Sequence, residues 1–164
     1  TGTFGLRNVN GGLAVFSTDG APLVLASRTY TNGATGGSYG LNVSGVLVAD
    51  IAWIANVAEN PFYRTNIGIF LPVDPSPGQP LVFTVTVFTN EGEEAGSGSL
   101  QFSRAGLQQK GIEVFGVDPP LADGWVEIRC SDPSAIWYGY ATVIDNVTGD
   151  SVYRAAITRQ SSIP

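Results

Sequence analysis

Apolar and polar residues alternate with a period of two through most of this chain, the pattern of strands with one dry and one wet face. The clearest run is Leu81-Val82-Phe83-Thr84-Val85-Thr86-Val87-Phe88, where Phe83, Val85 and Val87 share one face and Thr84 and Thr86 the other. Asn90-Glu91-Gly92-Glu93-Glu94 follows as an acidic turn, and Ser99-Leu100-Gln101-Phe102-Ser103 alternates again, which predicts a β-hairpin with a solvated tip. A second hairpin is expected from Ile51-Ala52-Trp53-Ile54-Ala55-Asn56-Val57, through Glu59-Asn60-Pro61, into Arg64-Thr65-Asn66-Ile67-Gly68-Ile69-Phe70, with the proline enforcing the break. Three prolines in Asp74-Pro75-Ser76-Pro77-Gly78-Gln79-Pro80 make a stiff connection unsuited to a strand or helix interior, so it should link two sheet segments.

Further strands are expected at residues 13–16, 23–31, 125–130, 136–144 and 152–158, each bounded by Gly, Asp, Asn or Pro. In the first of the last three, Val126, Ile128 and Cys130 share a face opposite Glu127 and Arg129, so Cys130 reads as a buried, inert thiol. In the next, Trp137 shares a face with Gly139 and Ala141, while Tyr138 and Tyr140 share the other. Residues 107–115, where Gln108, Gln109 and Lys110 precede an apolar patch, read as irregular. Roughly nine short strands with turn residues between them and little or no helix point to an all-β fold, an antiparallel immunoglobulin-like β-sandwich. A single cysteine excludes the inter-sheet disulfide of antibody domains, so the likeness is one of architecture.

Composition narrows the chemistry. With 164 residues, 43% hydrophobic and 13% charged, the chain can fill one core. Zero His removes the usual general base, the usual zinc ligand and every His-containing triad. One Cys excludes cysteine zinc clusters and iron–sulfur clusters. A net charge of -6 is the wrong sign for phosphates or anionic lipid, so nucleic acid and membrane surfaces are poor partners. The longest apolar stretch, residues 46–58, is broken by Asp50 and Asn56 and is shorter than the roughly 20 residues a spanning helix needs. The chain begins at Thr1 and holds no Met, which fits a processed, secreted product or a domain of something longer, and Lys110 is its only lysine.

The N-terminal part echoes the C-terminal part. An offset of 113, the difference between Asp132 and Asp19, also pairs Thr29 with Thr142, Thr35 with Thr148, Gly36 with Gly149 and Ser38 with Ser151. The chain is accordingly read as a single unit over 1–164, with an N-terminal half-unit (1–58) completing a fuller C-terminal unit (59–164).

Three segments carry a resemblance. Ala26-Ser27-Arg28-Thr29-Tyr30 with Ser38-Tyr39-Gly40, then Phe62-Tyr63-Arg64-Thr65-Asn66-Ile67-Gly68-Ile69, then Ala141-Thr142-Val143-Ile144-Asp145-Asn146-Val147-Thr148-Gly149-Asp150, occur in that order. Together they resemble an uncharacterised β-sandwich module of large secreted bacterial proteins. The resemblance implies an extracellular, non-catalytic building block and supplies no ligand residues. The long acidic hairpin tip and the Pro-rich link depart from it.

Candidate sites each have a plainer reading. Asp145, Asn146, Thr148 and Asp150 could contribute oxygens to a calcium loop, yet the same residue types build an Asx turn. Glu91, Glu93 and Glu94 read as a solvated tip. Arg64 and Asn66 share a strand face, and a buried Arg64 would need a carboxylate such as Asp145 or Asp50. Trp53, Trp125 and Trp137 with Tyr30, Tyr138 and Tyr140 could form a sugar-stacking platform or fill a core. Sequons lie at Asn42 and Asn146. A Thr1 nucleophile, a Ser–Lys dyad using Lys110 and a carboxylate pair are the enzyme routes that survive the lack of His, and none has a supporting scaffold. The resulting expectation is no enzyme, with no catalytic residue, cofactor or metal. The chain is read as an extracellular or cell-surface structural module, self-associating through edge strands or termini with copies of itself or neighbouring modules. The alternative is a carbohydrate-binding or adhesion module, calcium-stabilised.

Overall fold

The computed structural model describes residues 26–32, 38–44 and 51–158. A hairpin of β1 (Ala26–Asn32) and β2 (Ser38–Ser44) comes first. A five-stranded sheet then has the order β11 (Ile157–Thr158), β3 (Ile51–Glu59), β8 (Leu121–Cys130), β5 (Leu81–Thr89), β6 (Glu94–Phe102). A four-stranded sheet has the order β10 (Ser151–Ala155), β9 (Tyr138–Asp145), β4 (Tyr63–Leu71), β7 (Gly106–Gly111). Every pairing is antiparallel. Among the described residues the two sheets together hold nine strands and form the all-β sandwich that the alternation implied. Consecutive β3 and β4 lie in opposite sheets and pair with consecutive β8 and β9, the relation of strands B, C, E and F in an immunoglobulin sandwich.

The inward faces are the apolar halves of each alternation. Ala52, Ile54, Phe83, Val85, Val87, Val126 and Ile128 from one sheet meet Ile67, Ile69, Leu71 and Ala141 from the other, all at most 2% exposed. Phe83 is the hub: its ring meets Phe102 edge-on at 5.3 Å and Trp137 edge-on at 5.1 Å, the favoured geometry for aromatic quadrupoles. Trp137 is 1% exposed and inward with Gly139 and Ala141, as its alternation implied, so it belongs to the core.

Two expectations are corrected. Residues 51–70 are not a hairpin, because β3 and β4 do not pair with each other: the chain turns a corner from one sheet to the other. Asn60 Oδ1 accepts the backbone N–H of Phe62 (2.9 Å) and of Tyr63 (3.1 Å), which sets the turn. The buried Thr65 hydroxyl then donates to Ala58 O (2.6 Å) and accepts Ala58 N–H (3.1 Å), replacing the ladder bonds a hairpin would have made. The physical reason is that both strands carry a full apolar face, and crossing between sheets buries both. Residues 107–115 are likewise not irregular: they supply β7 and a 3-10 turn at Ile112–Phe115, whose Ile112 and Phe115 are buried. Within the half-unit read at 1–58, β3 pairs on both sides in the five-stranded sheet, with β11 and with β8.

The echoed segments do form similar hairpins. At the offset of 113, Ala26–Asn32 falls on residues 139–145 of β9, and Ser38 falls on Ser151, the first residue of β10. Their registers differ by one residue, since Ser38 faces Asn32 whereas Ser151 faces Ile144. The strands read at residues 13–16 and at the start of 23–31 lie outside the described residues.

Candidate functional site

A sandwich offers partners its edges, its loop ends and its outer faces. At one edge, β6 pairs only with β5 among the described residues. The backbone parity of β6 follows from its neighbour. Val82 O accepts Ser131 N–H (2.8 Å) and Val82 N–H is bound by Ser131 Oγ (3.0 Å), so Val82 points its backbone groups away from β6. Val82 faces Gln101, which makes that pair a non-hydrogen-bonded one and turns the backbone groups of Gln101, Ser99 and Ser97 outward. Gln101 O is taken by Gln108 Nε2 at 2.7 Å, leaving Ser97 and Ser99 as the centre of the edge. Residues that commonly guard such an edge, lysine and proline, are missing from Glu94-Ala95-Gly96-Ser97-Gly98-Ser99-Leu100-Gln101-Phe102. The inner side is closed by the 3-10 turn: a Cβ on Gly96 would lie 2.6 Å from Phe115 O, so glycine is what admits Phe115 there.

The outer face of the five-stranded sheet carries a polar and aromatic network. Cross-strand register aligns Trp53, Glu127, Thr86 and Ser97 in one row and Ile51, Arg129, Thr84 and Ser99 in the next. Glu127 organises it. Its carboxylate accepts Arg129 Nε at 2.6 Å and Nη2 at 2.9 Å, and Trp53 Nε1 at 3.1 Å. A third row places Ala55 beside Trp125 and Trp125 beside Phe88, whose rings stack at 4.1 Å with planes 11° apart. Next to Ala55 the register with β8 slips, and Asn56 adopts φ 58 there, in the left-handed region. Ala55 and Asn56 are both exposed.

The outer face of the four-stranded sheet carries tyrosines. Tyr140 lies over Gly68, whose missing Cβ would otherwise sit inside the ring, and its hydroxyl donates to Gln109 Oε1 at 2.8 Å. Tyr153 stacks on it at 5.5 Å and Tyr138 tilts against it at 6.2 Å. These rings are half-buried, and burial pushes the Tyr138 phenol up to about 12, with the neighbouring Tyr140 adding to it.

The remaining expected sites fall out as follows. Asp145 Oδ1 accepts Val147 N–H (2.7 Å) and Thr148 N–H (3.0 Å), so this loop is an Asx turn, and those bonds hold the Asp145 carboxyl below its ordinary range. Arg64 needs no carboxylate: it is exposed and donates through Nη1 to Asn146 Oδ1 at 2.5 Å, which corrects the pairing expected with Asp145. The Asn146 amide in turn donates to Asn60 O (3.4 Å) and Pro61 O (3.3 Å), tying that sequon's asparagine to the β3–β4 corner. Cys130 is half-buried rather than fully inside, because it ends β8 where the sheet meets the Asp132 turn; it still packs on the core, and desolvation pushes its thiol up. Lys110 stands exposed on β7 rather than in a loop. Glu91, Glu93 and Glu94 are exposed at the hairpin tip. Glu59 accepts Thr65 N–H at 3.1 Å, and burial raises its pKa. Asp50, Thr1 and the termini lie outside the described residues, and of Tyr30 and Asn42 only the strand position is described. No group of three or more His, Cys, Asp or Glu is placed to hold a metal among the described residues.

The sequence names Trp53, Trp125, Glu127 and Arg129 separately without showing that one sheet face gathers them, and it marks Asn56 only as a break in an apolar stretch. The sole signal was Asn56 interrupting an otherwise apolar strand, a residue type that tolerates the left-handed region. Comparison with protein-family models, curated proteins and solved structures finds no match. No described helix is long and apolar enough to cross a membrane.

Proposed function

We propose that this chain is a non-catalytic structural module of the cell exterior that self-associates through the free edge of β6. The observation that carries the reading is that edge: nine residues, paired on one side among the described residues, with Ser97 and Ser99 presenting backbone donors and acceptors and Glu94 as its sole charge. The natural occupant is the same strand of a second copy, laid antiparallel about a twofold axis, which continues two five-stranded sheets into one. That arrangement puts the two Glu94 ends at opposite ends of the pair, so the acidic tips do not meet. The exterior location rests on composition: no Met, Lys110 as the only lysine, and a chain rich in Gly.

The test is the solution mass of the full chain by size-exclusion chromatography with light scattering, alongside Ser97→Pro and Ser99→Lys. Both positions point their backbone groups away from β5, so neither change removes a bond of the β5–β6 ladder. The native chain is expected to form dimers or larger species and both variants to be monomeric with unchanged circular dichroism. A native monomer, or variants as associated as the parent, would overturn the reading.

A further inference from the structure

We infer that the outer face of the five-stranded sheet is a binding site for a neutral carbohydrate, centred on Trp125, Trp53 and Asn56. A sugar ring presents a flat patch of C–H groups rimmed by hydroxyls, and its receptor needs an aromatic surface flanked by fixed planar hydrogen-bonding groups. This face supplies both. Stacking of Phe88 on Trp125 at 4.1 Å covers one side of the indole, and its neighbour in register on the other side is Ala55, too small to cover it. Trp53, two residues along β3, stands diagonally from Trp125, within reach of one bound residue of a chain. Its indole is held in place by the bond from Nε1 to Glu127, so the two aromatic walls are set before any ligand arrives.

The polar groups are set too. Glu127 and Arg129 neutralise each other through two bonds, which leaves the surface beside Trp53 without net charge, while exposed Glu94, across from Phe88 at the end of the Trp125 row, disfavours an acidic partner. Thr84, Thr86, Ser97 and Ser99 continue the face as a hydroxyl-lined strip in two aligned rows. Asn56 is the independent sign. A strand residue in the left-handed region costs backbone energy, and the register slip that carries it leaves an exposed amide one residue beyond Ala55, the register partner of Trp125. Core packing does not call for that side chain, since Asn56 is exposed.

The site stands apart from the association proposed above, which uses backbone groups of β6 and not these side chains. It is tested by affinity electrophoresis of the full chain through gels containing xyloglucan, mixed-linkage β-glucan, galactomannan or dextran, with pull-down on cellulose and chitin. The informative variants are Trp125→Ala and Asn56→Gly. Glycine adopts the left-handed region freely, so Asn56→Gly deletes the amide while keeping the fold. The native chain is expected to be retarded by at least one of these neutral polysaccharides. Asn56→Gly should weaken that about tenfold, in the range of one or two lost hydrogen bonds, and Trp125→Ala should abolish it. Tyr153→Phe, on the opposite sheet, should bind as the parent does. No binding to any of the six, or parental binding by Asn56→Gly and Trp125→Ala, overturns the site. A Trp125→Ala chain that changes oligomeric state while the native chain binds no glycan would reassign the face to contact between copies.

Discussion

Thr65 offers the sharpest test of how the sandwich turns its corner. The residue is 0% exposed, and its hydroxyl both donates to Ala58 O and accepts Ala58 N–H, at 2.6 and 3.1 Å. Thr65→Val keeps the volume and removes both bonds. Each is worth about 1 kcal/mol net, and stranding buried Ala58 groups adds about 1–3 kcal/mol, so a loss of about 3–5 kcal/mol is expected. Thr65→Ser does the reverse: it keeps the hydroxyl and deletes one methyl, which costs about 0.8 kcal/mol in transfer plus a small cavity term. Urea unfolding followed by tryptophan fluorescence, at one low protein concentration so that association does not contribute, compares the two midpoints. The expected order is parent, then serine, then valine. Valine as stable as serine would show that packing and not the hydroxyl holds the corner, and the account of why β3 and β4 part company would fail.

Two further outcomes follow from the ionisable groups. Burial holds the Glu59 pKa above its ordinary 4.5, helped by Glu113 and opposed by the Thr65 N–H and Arg64. The native state therefore binds the proton more tightly than the unfolded chain, and stability falls as pH rises through the window just above 4.5. Glu59→Gln, which retains an acceptor for Thr65 N–H, should unfold at higher urea than the parent at pH 7 and match it below about pH 4; equal midpoints at pH 7 would contradict this. Cys130, whose thiol burial pushes above 9.0, should react with a disulfide reagent at pH 8 more slowly than glutathione does and regain the free-thiol rate in urea. Labelling of the folded chain as fast as glutathione would refute that.

The sequence by itself determined which residues face in. Phe83, Val85 and Val87 are buried against Thr84 and Thr86 on the wet face, and Val126 and Ile128 are buried against Glu127 and Arg129, because a strand's side chains must alternate whatever lies beside it. It also located the acidic tip, the Asx turn at Asp145 and the Pro-rich link between sheets, which are set by local backbone chemistry. Period two is silent about neighbours. It could not say that β3 pairs with β8 rather than β4, since that choice depends on burying two apolar faces at once across residues far apart in the chain. Nor could it say that Gly96 yields to Phe115, that Arg64 takes Asn146 rather than a carboxylate, or that Trp53, Glu127 and Arg129 meet on one face beside Asn56. Those are facts of register and sheet order, and tertiary structure alone decides them, because cross-strand partners are chosen by long-range packing rather than by local propensity.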